Sequence, residues 1–144
     1  MGGTMASREE IVEAIAGFTL FADLNRPQLT GIVHLFDEAA FGAGERLIRQ
    51  GITGSAFYIV LEGEAAVVID GEERTRLGRG EFFGDVSILL GEPPIADIVA
   101  LRPLRCLVLA GPAVEAFLVA NPRVMFRLLQ AMARRLRAAS RWRS

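Results

Sequence analysis

The sequence predicts a mainly β fold with flanking α-helices: an antiparallel β-barrel or jelly roll, with N-terminal helices before it and C-terminal helices after it. Three observations carry this reading. From Ala39 to about residue 110, short apolar runs alternate with glycines, the pattern of antiparallel strands joined by tight turns. Asp70-Gly71 falls inside that block, and a two-residue type I′ hairpin turn needs positive φ at both of its central positions. On either side of the block, apolar residues recur at the three- and four-residue spacing of a helix face.

Taken in order, Ser7-Arg8-Glu9-Glu10 is a capping box, followed by an apolar face of Ile11, Val12, Ile15 and Phe18, with Gly17 weakening the helix end. Asn25 caps a second helix with Pro27 in its first turn, and Leu29, Ile32, Val33 and Phe36 form its face. The N-terminal helices thus occupy 7–37. The β block, 39–110, holds the runs Leu47-Ile48, Phe57-Tyr58-Ile59-Val60-Leu61, 65–69, 98–100 and 106–109 between glycines such as Gly44, Gly51, Gly54, Gly63, Gly71 and Gly80. Gly111-Pro112 interrupts the chain, and helix resumes over 113–119 and again after Asn121-Pro122, giving C-terminal helices over 112–143. At 144 residues, one domain spanning 1–144 is expected.

Composition excludes several classes. Half of the residues are hydrophobic and 23% are charged, which is globular rather than disordered. No apolar run approaches the roughly 20 residues of a membrane span, and the start of the chain lacks the basic and apolar regions of a secretory signal. A cytoplasmic location without a membrane partner is expected. Cys106 lies in an apolar run and reads as a small buried hydrophobe. The one histidine, His34, falls on a helix, whereas a metal-dependent barrel enzyme needs several histidine ligands with a carboxylate. Gly78-x-Gly80 lacks the third glycine of a dinucleotide fingerprint. The chain reads as a binding module rather than an enzyme, with no cofactor.

The segment Phe83-Gly84-Asp85-Val86-Ser87-Ile88-Leu89-Leu90-Gly91-Glu92-Pro93 is the most informative. A glycine before a short helical turn lets backbone N–H groups converge on an anion, and Asp85 beside it can accept hydrogen bonds from ligand hydroxyls. With the earlier Phe18-Thr19-Leu20-Phe21, Gly44-Glu45, Gly51, Phe57-Tyr58-Ile59-Val60 and Gly63, this order of residues resembles the cyclic-nucleotide-binding domains of catabolite-activator-type regulators and protein kinase A regulatory subunits. The match runs from about Phe18 to Leu136, and residues 83–98 correspond to the family's phosphate-binding cassette. The resemblance implies a small-molecule ligand (cAMP, cGMP or a cyclic dinucleotide) held by Gly84, Asp85, Val86, Ser87, Pro94, Ile95, Ala96 and Asp97.

The cassette departs from the family's pattern. Where the family has the arginine that pairs with the cyclic phosphate, this chain has Pro94; where it has a hydroxyl, Asp97; and its glutamate is shortened to Asp85. An arginine–phosphate contact is charge-assisted, and losing one costs about 1.5–3 kcal/mol. Arg49, Arg102 and Arg105 are candidates to supply the missing charge, each otherwise a solvated surface residue. Two functional readings follow. The first is a standalone regulatory sensor that binds a cyclic nucleotide or related anionic ligand and moves its C-terminal helices. The second is a ligand-free domain kept for dimerisation or partner docking.

Charge is segregated along the chain. All 17 acidic residues precede Asn121, while Arg123, Arg127, Arg134, Arg135, Arg137, Arg141 and Arg143 follow it. Among them Met125, Leu128, Leu129, Met132, Leu136 and Ala139 approach a heptad seam, and the resemblance implies a homodimer through this helix. The arginines read as a solvated helix face. No sequence-specific DNA binding is expected from this chain, because the family's DNA-reading motif would have to follow near residue 140.

Overall fold

A computed structural model describes residues 7–52 and 56–140 of the chain. The sequence features at residues 1–6, at Gly54 and at Arg141 and Arg143 lie outside the described residues. Both N-terminal helices begin as their local chemistry dictates. In α1 (Arg8–Ala16) the Ser7 hydroxyl accepts from the Glu10 N–H at 3.2 Å, and the Glu10 carboxylate accepts from the Ser7 N–H at 3.2 Å. Asn25 and Gln28 exchange the equivalent pair at the start of α2 (Arg26–Leu35), at 3.0 and 2.8 Å. Each box satisfies N–H groups that have no partner within the helix. A 3-10 turn, Thr19–Phe21, joins the two helices and buries Leu20 and Phe21.

Eight strands follow: β1 (Asp37–Phe41), β2 (Arg46–Ile48), β3 (Ala56–Glu62), β4 (Ala65–Ile69), β5 (Glu72–Leu77), β6 (Phe82–Phe83), β7 (Asp97–Ala100) and β8 (Leu104–Ala110). They form two antiparallel four-stranded sheets, ordered β1-β8-β3-β6 and β2-β7-β4-β5. The jelly-roll expectation holds, with the two sheets not closed into a barrel, because the ladders run within each sheet and stop at its edges. Two of the four edge strands are short. β6 has two residues before the chain turns away at Gly84, and β2 has three.

The continuous apolar run of β3 is explained by burial on both faces. Phe57, Ile59 and Leu61 join Leu107, Leu109 and the helices in one core, while Val60 packs with Leu104, Cys106 and Phe83 in a second core between the sheets. Strand side chains alternate faces, so neighbouring residues serve different cores. Cys106 has no exposed surface, and burial pushes its thiol up to about 12, which suits an inert core residue. At the tip between β4 and β5, Asp70 and Gly71 both have positive φ, 53° and 82°, as a type I′ turn requires. Gly63 (φ 98°) is required for a different reason: a Cβ there would overlap the Pro103 carbonyl.

Helix α4 (Gly111–Ala120) starts at the Gly-Pro pair, and α5 (Pro122–Ser140) runs 19 residues after Asn121. Val124 and Leu128 bury the inner face of α5. Its first turns are held by Asp23, which accepts from Arg127 Nε at 2.8 Å, from Arg127 Nη2 at 2.9 Å and from Arg123 at 3.2 Å. Among the described residues, no helix is long and apolar enough to cross a membrane.

Two stability predictions follow from this packing. Ile59→Ala, at a fully buried position, is expected to cost about 2–5 kcal/mol in denaturant unfolding. Hydrogen bonds from Arg127 lower the Asp23 carboxyl to about 2 from its ordinary 3.8. Its contribution to stability is therefore complete above pH 3.8 and lost as the pH falls through about 2. In acid titrations followed by circular dichroism, Asp23→Asn is expected to be less stable at neutral pH and to show a shallower acid transition.

Candidate functional site

Gly84, with φ 89°, turns the chain from β6 into α3 (Asp85–Leu90), and Gly91, with φ 67°, ends that helix. A Cβ at Gly84 would overlap the Ala56 carbonyl, so the glycine seats the segment directly against the start of β3. On the return, the Pro94 carbonyl accepts from the Gly51 N–H at 2.8 Å. Together these contacts hold residues 84–96 over the inner face of the second sheet and enclose a cavity of ≈ 220 Å³.

Seven of the eight sequence-predicted site residues line this cavity: Gly84, Asp85, Val86 and Ser87 on one side, and Pro94, Ile95 and Ala96 on the other. The opposite wall is apolar, built from Ile48, Val67, Leu77 and Ile98, with Phe83 at its base. The Phe83 ring is stacked on Tyr58, with centroids 4.7 Å apart. Asp97 differs from the expectation that its charge opposes a ligand anion. Its carboxylate accepts from the Gln50 N–H at 2.6 Å and lies 3.8 Å from Arg46 Nε, and it is not among the lining residues. The negative charge is thereby turned toward the β2 end and matched there.

The three arginines proposed to replace the missing cation are not in the cavity lining. Arg105 is engaged by Glu38, with its Nε at 3.0 Å from the carboxylate, while Arg49 and Arg102 are exposed. The cation that lines the cavity is Arg135, from α5. It donates to the Phe82 carbonyl at 2.7 Å, stands 4.2 Å from the centre of the Phe82 ring, and approaches Asp85 at 3.7 Å. The sequence reading missed it by treating the α5 arginines as one solvated face. A signal was present: Val124, Leu128, Ala131 and Arg135 follow one another at helical spacing, so Arg135 continues the stripe that packs on the body.

Asp85 is 3% exposed, and its Oδ2 is buried without a hydrogen-bond partner among the described residues. Burial pushes its carboxyl above the ordinary value, opposed by the Arg135 charge and by the N–H groups of Asp85 and Val86. A buried acceptor with no donor is costly. Here the residue that carries it lines the cavity.

The profile of the cyclic nucleotide-binding domain family matches residues 38–121, and the chain belongs to that family. Similar solved structures include the Thermus thermophilus catabolite activator protein, at 30% identity and a TM-score of 0.76 over 85% of this chain and 60% of that one. A cyclic nucleotide-binding domain from Methylobacillus flagellatus is 26% identical, with a TM-score of 0.76 over 92% of this chain and 80% of that one. The cAMP-bound PfPKA-R fragment shares the fold at 18% identity and a TM-score of 0.76, over 92% of this chain and 47% of that one. The chain thus spans 47% of the PfPKA-R fragment and 60% of the activator. Its fold is that of regulatory cyclic-nucleotide-binding domains.

Asp85 supplies a test of the site's electrostatics. Its folded-state pKa lies above the unfolded value, so its contribution to stability is present below that unfolded value and lost as pH rises through the folded one. Asp85→Asn is expected to flatten the pH dependence of unfolding above about pH 4 and to be more stable than the parent at neutral pH. Equal slopes for the two proteins would show that the carboxyl is not strained by burial.

Proposed function

We propose that this chain is a regulatory sensor whose cassette cavity binds a cyclic nucleotide or a related anionic small ligand, with α5 responding to occupancy. The observation that carries the reading is the presence in one cavity lining of Asp85, whose Oδ2 has no hydrogen-bond partner among the described residues, and of Arg135, a cation delivered by the C-terminal helix that stands 3.7 Å from the other oxygen, Oδ1. A ligand that presents hydroxyl groups to Asp85 and an anion to Arg135 satisfies both at once, while its base packs on the apolar wall. Because the cation sits on α5, ligand contacts and helix position are linked through one side chain. A cavity of ≈ 220 Å³ falls below the usual range for drug-sized ligands, which favours a cyclic mononucleotide over a dinucleotide.

Calorimetric titration against cAMP, cGMP and a cyclic dinucleotide tests this directly, with saturable micromolar binding of a mononucleotide expected. Pro94→Arg restores a cassette cation and is expected to tighten binding by about 10–100-fold, since one charge-assisted contact is worth about 1.5–3 kcal/mol. Heat that never saturates at millimolar ligand, from folded protein of either sequence, would exclude the sensor.

A second reading, a domain used for dimerisation, is favoured by one observation. Leu129 and Leu136 on α5 are 57% and 70% exposed, and with Met125 and Met132 they repeat at the spacing of a coiled-coil seam. Sedimentation analysis is expected to show a dimer that Leu129→Glu with Leu136→Glu converts to monomer. The same molecular mass for both proteins would remove this reading.

A further inference from the structure

Arg135 lines a second cavity as well. This cleft, ≈ 280 Å³, lies between the 3-10 turn Thr19–Phe21, the turn before β6 and the side of α5. Its floor is apolar, formed by the buried rings and chains of Leu20 and Phe82 together with Ala131. Three arginines of α5 line it: Arg127 and, about two turns further along, the adjacent Arg134 and Arg135. Arg127 is held by Asp23, and Arg135 by the Phe82 carbonyl and Asp85. Arg134 has no ion pair or hydrogen bond among the described residues, and neither has the Thr19 hydroxyl. Glu81 is the acidic residue in the lining, and its carboxylate is already committed to the Gly78 N–H at 2.8 Å.

We propose that this cleft is a binding site for a small organic phosphate monoester, separate from the cassette cavity but sharing Arg135 with it. A phosphate dianion presents several strong acceptor oxygens, and guanidinium forks match them with charge-assisted hydrogen bonds. Arg134 supplies the uncommitted fork, Thr19 a hydroxyl donor, and Arg127 and Arg135 the surrounding positive potential. The organic part of the ester packs on Leu20 and Phe82. A carboxylate offers two oxygens to three cations and fits the cleft less well. Because Arg135 also faces Asp85, an anion in the cleft competes with that carboxyl for the same side chain.

Phenyl phosphate is a suitable probe, with phenol and inorganic phosphate as controls, in calorimetry and amide NMR of the full chain. Saturable binding is expected, with shifts centred on Thr19, Leu20, Gly80 and Ala131. Arg134→Ala, an exposed and fold-neutral change, is expected to weaken it by about tenfold or more, with an unchanged circular dichroism spectrum. Inorganic phosphate binding as tightly as the ester would overturn the role of the apolar floor, and phenol binding as tightly would overturn the role of the arginines. Shifts confined to Gly84, Asp85, Val86 and Ser87, or an Arg134→Ala protein of unaltered affinity, would place the anion elsewhere and overturn the site. An absence of saturation would overturn it outright.

Discussion

The pairing of β3 with β8 is the constraint on which the remainder of the molecule depends. These strands form the middle of a sheet that is buried on both faces, between helices on one side and the second sheet on the other. Register in such a sheet is strongly specified, because a slip of one residue would exchange the two cores. The consequence reaches the functional site through β6, which pairs with β3 at Tyr58 and Ile59. Phe82 and Phe83 are neighbours in sequence and face opposite ways. Phe83 closes the base of the cassette cavity against Tyr58, while Phe82 belongs to the helical core and carries the Arg135 guanidinium on its ring. The cavity and the helix that supplies its cation are therefore positioned by consecutive residues of one short strand.

Electrostatics completes what packing begins. The acidic body and basic C-terminal helix make a small number of specific contacts at two carboxylates. Asp23 binds Arg123 and Arg127 at one end of α5, and the hydrogen bond from Arg127, with the charge of both arginines, favours its ionisation. Asp85 meets Arg135 two to three turns later, in a setting where burial disfavours the charge. The first contact anchors. The second is poorly satisfied, with an acceptor oxygen that a ligand donor would complete, and functional sites are where such imperfect pairings concentrate.

Much of this was legible in the sequence, and what was not has physical causes. Capping boxes, the Asp70-Gly71 hairpin and the apolar faces of α1 and α2 are local signals, and each appears where its residues place it. Jelly-roll architecture followed from strand punctuation, but the division into two open four-stranded sheets did not, since it is set by pairings between strands far apart in the sequence. For the site, motif order brought Gly84, Asp85, Val86, Ser87, Pro94, Ile95 and Ala96 to one cavity. The orientation of Asp97 was hidden because it is decided by Gln50 and Arg46, 47 and 51 positions away. Arg135 was hidden for the same reason: it meets Asp85 from 50 residues downstream. Spacing on α5 marks it as inward-facing, but only once the buried stripe is separated from the exposed seam.

On the proposed reading, the clamp at Asp23 makes α5 a lever. Arg127, the nearer of the clamped arginines, and Arg135 are eight residues apart, or about 12 Å along the axis at 1.5 Å per residue. A pivot of about 10° about the clamp would carry the Arg135 end sideways by about 2 Å over that length, enough to part a guanidinium from the carbonyl it now holds at 2.7 Å. The geometry thus amplifies: a small rotation at a solvent-facing turn becomes the making or breaking of a contact at the mouth of the cavity. On the proposed reading, a ligand that shifts Arg135 by about 2 Å tilts the helix by about 10°.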